Sequence, residues 1–142
     1  MFEKKFHNRT MVNRILLLDD EPAICEITGI LLKKLGYDAV ITSRGEDTIL
    51  AYENSIGQGA RFDVVILDLS IPGGIGGKEV LSTLLKMDPE VKALVSSGDA
   101  NDPAVSDYKK FGFSGVLMKP YNKTGLDTTI KSILTLKNPL IE

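Results

Sequence analysis

Residues 64–72 read Val64-Val65-Ile66-Leu67-Asp68-Leu69-Ser70-Ile71-Pro72. Four consecutive aliphatic residues mark a short strand buried on both faces, as in the middle of a parallel sheet. A carboxylate directly after such a run stands at the strand's C-terminal end, beside the crevice where open α/β sheets bind their ligands. The placement of Asp68 therefore bears on fold and function together.

The same alternation of short apolar runs and amphipathic stretches extends both ways from that strand. Upstream, Ile15 to Leu18 forms a first strand that ends in Asp19-Asp20-Glu21-Pro22, and a proline with preceding acids suits a helix start. That helix is expected to turn Ile24, Ile27, Leu31 and Leu35 inward and to close at Gly36. A second strand from Asp38 to Thr42 leads into a helix carrying Ile49, Leu50, Tyr52 and Ile56, ended by Gly57-Gln58-Gly59. Downstream lies a loop, Leu69 to Gly77, then a helix with Val80, Leu81, Leu84, Leu85 and Met87 that stops before Asp88-Pro89. Val91 to Val95 is the fourth strand and leads into Ser96-Ser97-Gly98. A weak helix over 102–110 precedes a fifth strand, Gly115 to Met118, which ends at Lys119-Pro120. The last helix, over 123–136, places Leu126, Ile130, Ile133 and Leu134 inward. Five βα units with right-handed crossovers predict an α/β fold, a doubly wound five-stranded parallel sheet with helices on both faces.

Length and composition fit one such domain and little else. Of 142 residues, 1–12 read as an N-terminal extension or linker, 13–137 as the domain and 138–142 as a tail, too little for a second folded unit. An output module is therefore not expected, and any output would be a contact made by the domain itself. The 17 Lys and Arg against 19 Asp and Glu give a net charge of -2, which argues against a direct hold on nucleic acid and points to protein partners. One cysteine, Cys25, excludes an internal disulfide and a four-Cys zinc site. No apolar run approaches a membrane span and residues 1–10 lack a signal-peptide core, so a soluble cytoplasmic domain is expected, tethered to the membrane only through some larger sensor protein.

The polar residues at strand ends carry the chemistry. Asp19 and Asp20 follow strand one, Asp68 strand three, Ser96 strand four and Lys119 strand five, so four segments converge on one edge of the sheet. Two unit charges about 4 Å apart repel by about 4 kcal/mol at an effective dielectric of 20, and a divalent cation relieves such crowding. Hard oxygen donors without His or Cys favour Mg²⁺, which bridges carboxylates to phosphoryl oxygens. The Ser96 hydroxyl and the Lys119 ammonium would supply donors to the remaining phosphoryl oxygens. The constellation describes a carboxylate, Asp68, that accepts phosphate beside a bound metal.

Four pieces, Leu18-Asp19-Asp20-Glu21, Leu67-Asp68-Leu69-Ser70-Ile71-Pro72-Gly73, Val95-Ser96-Ser97-Gly98 and Met118-Lys119-Pro120-Tyr121, occur in order at the correct strand ends. With them the chain from Asn13 to Lys137 resembles a response-regulator receiver domain, the phosphoacceptor module of two-component signalling. The resemblance implies a flavodoxin-like sheet of order 2-1-3-4-5. It also implies that Asp68 is phosphorylated by a phosphohistidine donor, on a sensor histidine kinase or a histidine phosphotransfer protein. Asp20 would bind Mg²⁺ directly and Asp19 largely through water, with Asp68 and the backbone carbonyl of Ser70 completing the site. Ser96 and Lys119 would contact the phosphoryl group, and the Lys119-Pro120 bond would be cis. Activity would be limited to self-phosphorylation and autodephosphorylation. The stretch from Ile71 to Glu79, with Ser97-Gly98 and 112–116, is more similar to receivers fused to hybrid sensor histidine kinases than to those fused to DNA-binding domains; a free-standing single-domain regulator is the alternative. Many members carry an aromatic residue three positions before the lysine; Val116 stands there, which puts an aromatic-flip switch in doubt.

Blander explanations exist for each residue alone: the acids as helix caps, Lys119 as a solvated cation, Cys25 as helix packing. The glycine-rich loop is not a P-loop, because Pro72 and Glu79 stand where glycine and a hydroxyl residue are needed, and it reads as flexible backbone beside Asp68. His7, the only histidine, falls in the extension, so the phosphate donor must come from elsewhere. Tyr108, Phe111, Phe113 and Tyr121 divide between core packing and a recognition face. A small phosphohydrolase with Asp68 as nucleophile competes, but the general acid such enzymes carry two residues later is replaced by Ser70.

Overall fold

The computed structural model describes residues 12–136; most of the extension, His7 and the tail lie outside the described residues. Five strands, β1 (Arg14–Leu18), β2 (Asp38–Thr42), β3 (Val64–Asp68), β4 (Ala93–Ser97) and β5 (Gly115–Met118), form one parallel sheet in the order β2-β1-β3-β4-β5. Between them run the helices α1 (Pro22–Lys34), α2 (Gly45–Gly57), α3 (Gly77–Met87) and α4 (Pro103–Ser106), with α5 (Lys123–Leu134) after β5.

Alternate strand residues feed two separate cores, as the two-residue period of a strand requires. Leu16, Leu18, Val65 and Leu67 point to one face, where Tyr52 of α2, Val80 and Leu84 of α3 and Ala104 of α4 cover them. Ile15, Leu17, Val64 and Ile66 point to the other, packed against Leu32 of α1 and Leu126, Ile130 and Ile133 of α5. All five residues of β3 are buried, which explains why this segment is an unbroken apolar run.

Several local expectations are corrected. In α1, Ile27 is 59% exposed while Thr28 and Leu32 face the core. In α2, Leu50 and Ile56 face outward and the buried stripe is Thr48, Tyr52 and Ser55. Each of these three helix hydroxyls has a partner: Thr28 Oγ1 bonds Tyr121, Thr48 Oγ1 bonds Thr42 and donates to the Arg44 carbonyl, and Ser55 Oγ donates to the Tyr52 carbonyl. Satisfied hydroxyls take up inward positions at little cost, so apolarity alone chose the wrong stripe. β4 runs two residues later than Val91 to Val95: Val91 is buried but sits in a turn with its N–H on the Asp88 carbonyl. The helix expected over 102–110 is broken at Asp107 into α4 and a 3₁₀ turn, Tyr108–Phe111, closed by Gly112 at φ 93°.

Candidate functional site

β1, β3, β4 and β5 end together: Asp68 and Ser97 are the last residues of β3 and β4, Ser96 is the one before Ser97, and Asp19 and Lys119 directly follow β1 and β5. Because β1 and β3 are adjacent central strands, Asp19 and Asp68 are both nearly inaccessible, at 1% and 4% exposure. Asp20, one residue on, is partly exposed at the mouth. One carboxylate oxygen each from Asp19, Asp20 and Asp68 lies within 4.8 Å of the others.

Lys119 reaches back over this cluster from the end of β5. Its Nζ stands 2.8 Å from Asp19 Oδ2, 3.2 Å from Asp68 Oδ2 and 3.8 Å from Glu21 Oε1. The Asp68 contact has hydrogen-bond geometry and the Asp19 contact is a close ion pair, while among the described residues the buried Ser96 Oγ on β4 has no hydrogen-bond partner. The other oxygens are held: the Glu21 N–H donates to Asp19 Oδ1 and the Ser70 N–H to Asp68 Oδ1. Ser96 lies opposite Asp68 in the β3–β4 register, and the Leu69 N–H donates to its carbonyl.

The titration behaviour follows from this crowding. Burial pushes the Asp68 carboxyl above its ordinary range, aided by the charge of Asp19 and opposed by the Ser70 N–H and Lys119. Burial acts to lower Lys119, but its contacts with Asp19 and Asp68 outweigh that and hold it above its ordinary value. One ammonium thus serves three acids, Asp19, Asp68 and Glu21, with Asp20 close by. The donor set is all oxygen, with Asp19 Oδ2 held only by the Lys119 ammonium and the Ser96 hydroxyl without a hydrogen-bond partner among the described residues, which fits a hard divalent cation with an anionic ligand.

The glycine-rich loop is more constrained than flexible backbone would be. Gly76 and Gly77 are buried, and a Cβ at Gly77 would come within 2.9 Å of the Asp68 carbonyl oxygen, while one at Gly76 would overlap the Leu69 carbonyl. These two glycines let the start of α3 press against the strand end that carries Asp68. Glu79 then accepts from the Gly76 N–H, half of a capping box.

All the expected site residues, Asp19, Asp20, Asp68, Ser70, Ser96 and Lys119, occupy this edge, and the Lys119-Pro120 bond is cis. Two residues were missed as members of it. Glu21 faces Lys119, for which its place beside Asp19-Asp20 was the available signal. Tyr121 places its hydroxyl 2.9 Å from Thr28 Oγ1, and nothing local in sequence announces a partner so distant. Val116 is partly buried against the core. Of the four aromatics, Phe113 is buried and Tyr108 and Tyr121 pack on the cores, leaving Phe111 outward with Lys78 above its ring.

Parallel order 2-1-3-4-5 with acids and a lysine at one edge defines a class, and the chain belongs to it: the model of the response regulator receiver domain matches residues 15–131. It is thus a receiver domain of two-component signalling. The cell cycle response regulator CtrA of Brucella ovis is 30% identical over 121 residues, covering 85% of this chain and 50% of CtrA. The chain spans about half the length of the curated relatives it matches. A CheY-like receiver domain protein from Methanospirillum hungatei JF-1 superposes with TM-score 0.76 at 28% identity, covering 87% of this chain and 94% of that one. The receiver domain of a sensor histidine kinase from Pseudomonas aeruginosa PAO1, described with a magnesium ion coordinated in its active site cleft, superposes with TM-score 0.77, covering 88% and 99%. At 18% identity that likeness is one of fold alone.

Proposed function

We propose that residues 13–137 are a phosphoacceptor switch in which Asp68 takes a phosphoryl group from a phosphohistidine of a sensor histidine kinase or histidine phosphotransfer protein. The observation that carries this reading is the pairing of buried Asp68 with Lys119, with Asp19 2.8 Å from the same ammonium and the buried Ser96 hydroxyl, opposite Asp68 in the register, without a hydrogen-bond partner among the described residues. Asp19, Asp20, Asp68 and the Ser70 carbonyl would hold Mg²⁺, which when bound neutralises the acids and the phosphoryl oxygens. An Asp68 oxygen forms the new bond to phosphorus as the bond from phosphorus to the donor imidazole breaks. Lys119 turns from Asp68 Oδ2 to a phosphoryl oxygen, and Ser96 Oγ donates to another, satisfying a hydroxyl that has no other partner among the described residues. Burial serves the chemistry, because a partly desolvated carboxylate gives up little hydration on attack.

Likeness of the loop over 71–79 to receivers of hybrid sensor histidine kinases supports that context, with the domain on the cytoplasmic side, binding proteins rather than nucleic acid. The module itself is not a turnover enzyme: Ser70 offers no general acid two residues after the nucleophile.

Incubating the chain with phosphoramidate or acetyl phosphate and Mg²⁺ should add one phosphate by intact mass, lost in Asp68→Asn and with chelator. A wild-type mass unchanged while Mg²⁺ is bound would overturn the reading, and fast multiple-turnover hydrolysis of simple phosphomonoesters would replace it with a phosphohydrolase.

A further inference from the structure

Lys119 leaves an edge strand. β5 has one sheet neighbour, β4, and the Lys119 N–H is tied to that side by a 2.9 Å bond to the Ser97 carbonyl. Among the described residues the short connection to α5 has no strand on its other side, yet the Lys119 ammonium must sit within about 3 Å of Asp68 for the proposed chemistry. The missing restraint comes from α1. Tyr121, two residues after Lys119, packs against the core beneath α1 and α5, and its hydroxyl lies 2.9 Å from Thr28 Oγ1.

Thr28 is 1% exposed, on the packed face of α1 where an apolar residue would suffice for burial. A buried hydroxyl at such a position is retained at a cost unless it has a partner. One turn earlier on the same helix, Cys25 Sγ donates to the Asp19 carbonyl, and at the helix start the Glu21 N–H donates to Asp19 Oδ1. The N-terminal half of α1 is thus bonded to the acid side of the site, and the Thr28–Tyr121 bond joins it to the lysine side.

We propose that Tyr121 and Thr28 form a positioning pair that holds Lys119 over Asp68 by tying the β5–α5 connection to α1. The inference rests on the phosphoacceptor reading. Neither hydroxyl touches the reacting atoms; both act through where Lys119 is held.

The test uses the full chain with phosphoramidate and Mg²⁺, measuring phosphorylation rate, Mg²⁺ affinity and melting temperature side by side. Tyr121→Phe should slow phosphorylation on the order of tenfold, the scale of a small misplacement of a catalytic group, with Mg²⁺ affinity unchanged because the acids stay in place. Thr28→Ser, which keeps a hydroxyl, should retain the wild-type rate. The double variant Thr28→Val with Tyr121→Phe makes both partners apolar and should recover the wild-type melting temperature, yet remain slow. Recovery of rate together with stability, a wild-type rate in Tyr121→Phe alone, or Mg²⁺ affinity falling in step with the rate would each overturn the positioning role while leaving the phosphoacceptor reading intact. A wild-type chain that takes up no phosphate overturns both.

Discussion

The two edges of the sheet handle buried acids in opposite ways. At the N-terminal edge, Asp88 is 8% exposed and fully answered: the Tyr52 hydroxyl donates to Oδ2 at 2.6 Å, Arg61 to the same oxygen at 3.1 Å and the Glu90 N–H to Oδ1 at 3.1 Å. Asp63, before β3, accepts from the Arg14 N–H at 2.7 Å, and the Arg14 guanidinium lies over the Phe62 ring while donating to the Ala60 carbonyl. At the C-terminal edge, Asp19 and Asp68 share one lysine with Asp20 and Glu21 nearby, and among the described residues Asp19 Oδ2 has only that lysine's ion pair and Ser96 Oγ no hydrogen-bond partner. Both edges are made of acids and cations, so composition does not distinguish them. What differs is satisfaction, and the incomplete set of partners at the C-terminal edge is what the proposed metal and phosphoryl group would complete.

The contrast can be broken first at the satisfied edge. Asp88→Ala strands the Tyr52 hydroxyl, which is 1% exposed as a residue, and should cost about 3 kcal/mol in urea denaturation. If that loss is negligible, satisfaction is not what holds this edge. Next in size is Mg²⁺, which should raise the stability of the wild-type chain by about 2.7 kcal/mol at a hundredfold excess over its dissociation constant. Asp20→Ala should remove most of that gain, and an equal gain in Asp20→Ala would move the metal elsewhere.

Acidity gives a smaller and more diagnostic signal. Burial raises the Asp68 carboxyl, so as pH falls the folded chain protonates it before the unfolded chain does. Without metal, wild type should therefore gain on Asp68→Asn as pH falls through the raised value, the gap closing near the ordinary 3.8. Lys119 is raised, so its contribution is intact below the ordinary 10.5 and is lost as pH climbs through the folded value. A gap that widens on acidification would contradict the assignment of burial as the dominant cause. The smallest effect belongs to an exposed pair at the same edge, Arg44 with Glu46 at 3.7 Å, where Arg44→Ala should change stability by less than about 0.5 kcal/mol.

The sequence made one edge more legible than the other for the same reason. Asp68, Ser96 and Lys119 stand at the ends of strands whose apolar runs are unmistakable, and position along a strand fixes which edge a residue joins. β2 and β5 fall where the pattern put them, whereas β4 is displaced because Val91 is buried without being in the strand and Ser96 and Ser97 are in it while polar. The inward faces of α1 and α2 were misread because Thr28, Thr48 and Ser55 are satisfied by partners that only the fold supplies. Tyr52 with Asp88 and Tyr121 with Thr28 were likewise invisible, since they join residues 36 and 93 positions apart. Apolar period reports burial; it does not report which polar groups will find each other.

Melting of wild type and Asp68→Asn, each in chelator and in Mg²⁺, tests the contrast most directly. Asp68→Asn should melt higher than wild type in chelator, by the equivalent of on the order of 1 kcal/mol, because one crowded charge is gone. It should then gain little from Mg²⁺ while wild type gains strongly. An Asp68→Asn chain that melts lower in chelator and gains as much from Mg²⁺ as wild type would contradict the account of this edge as a crowded, unsatisfied site for metal and phosphate.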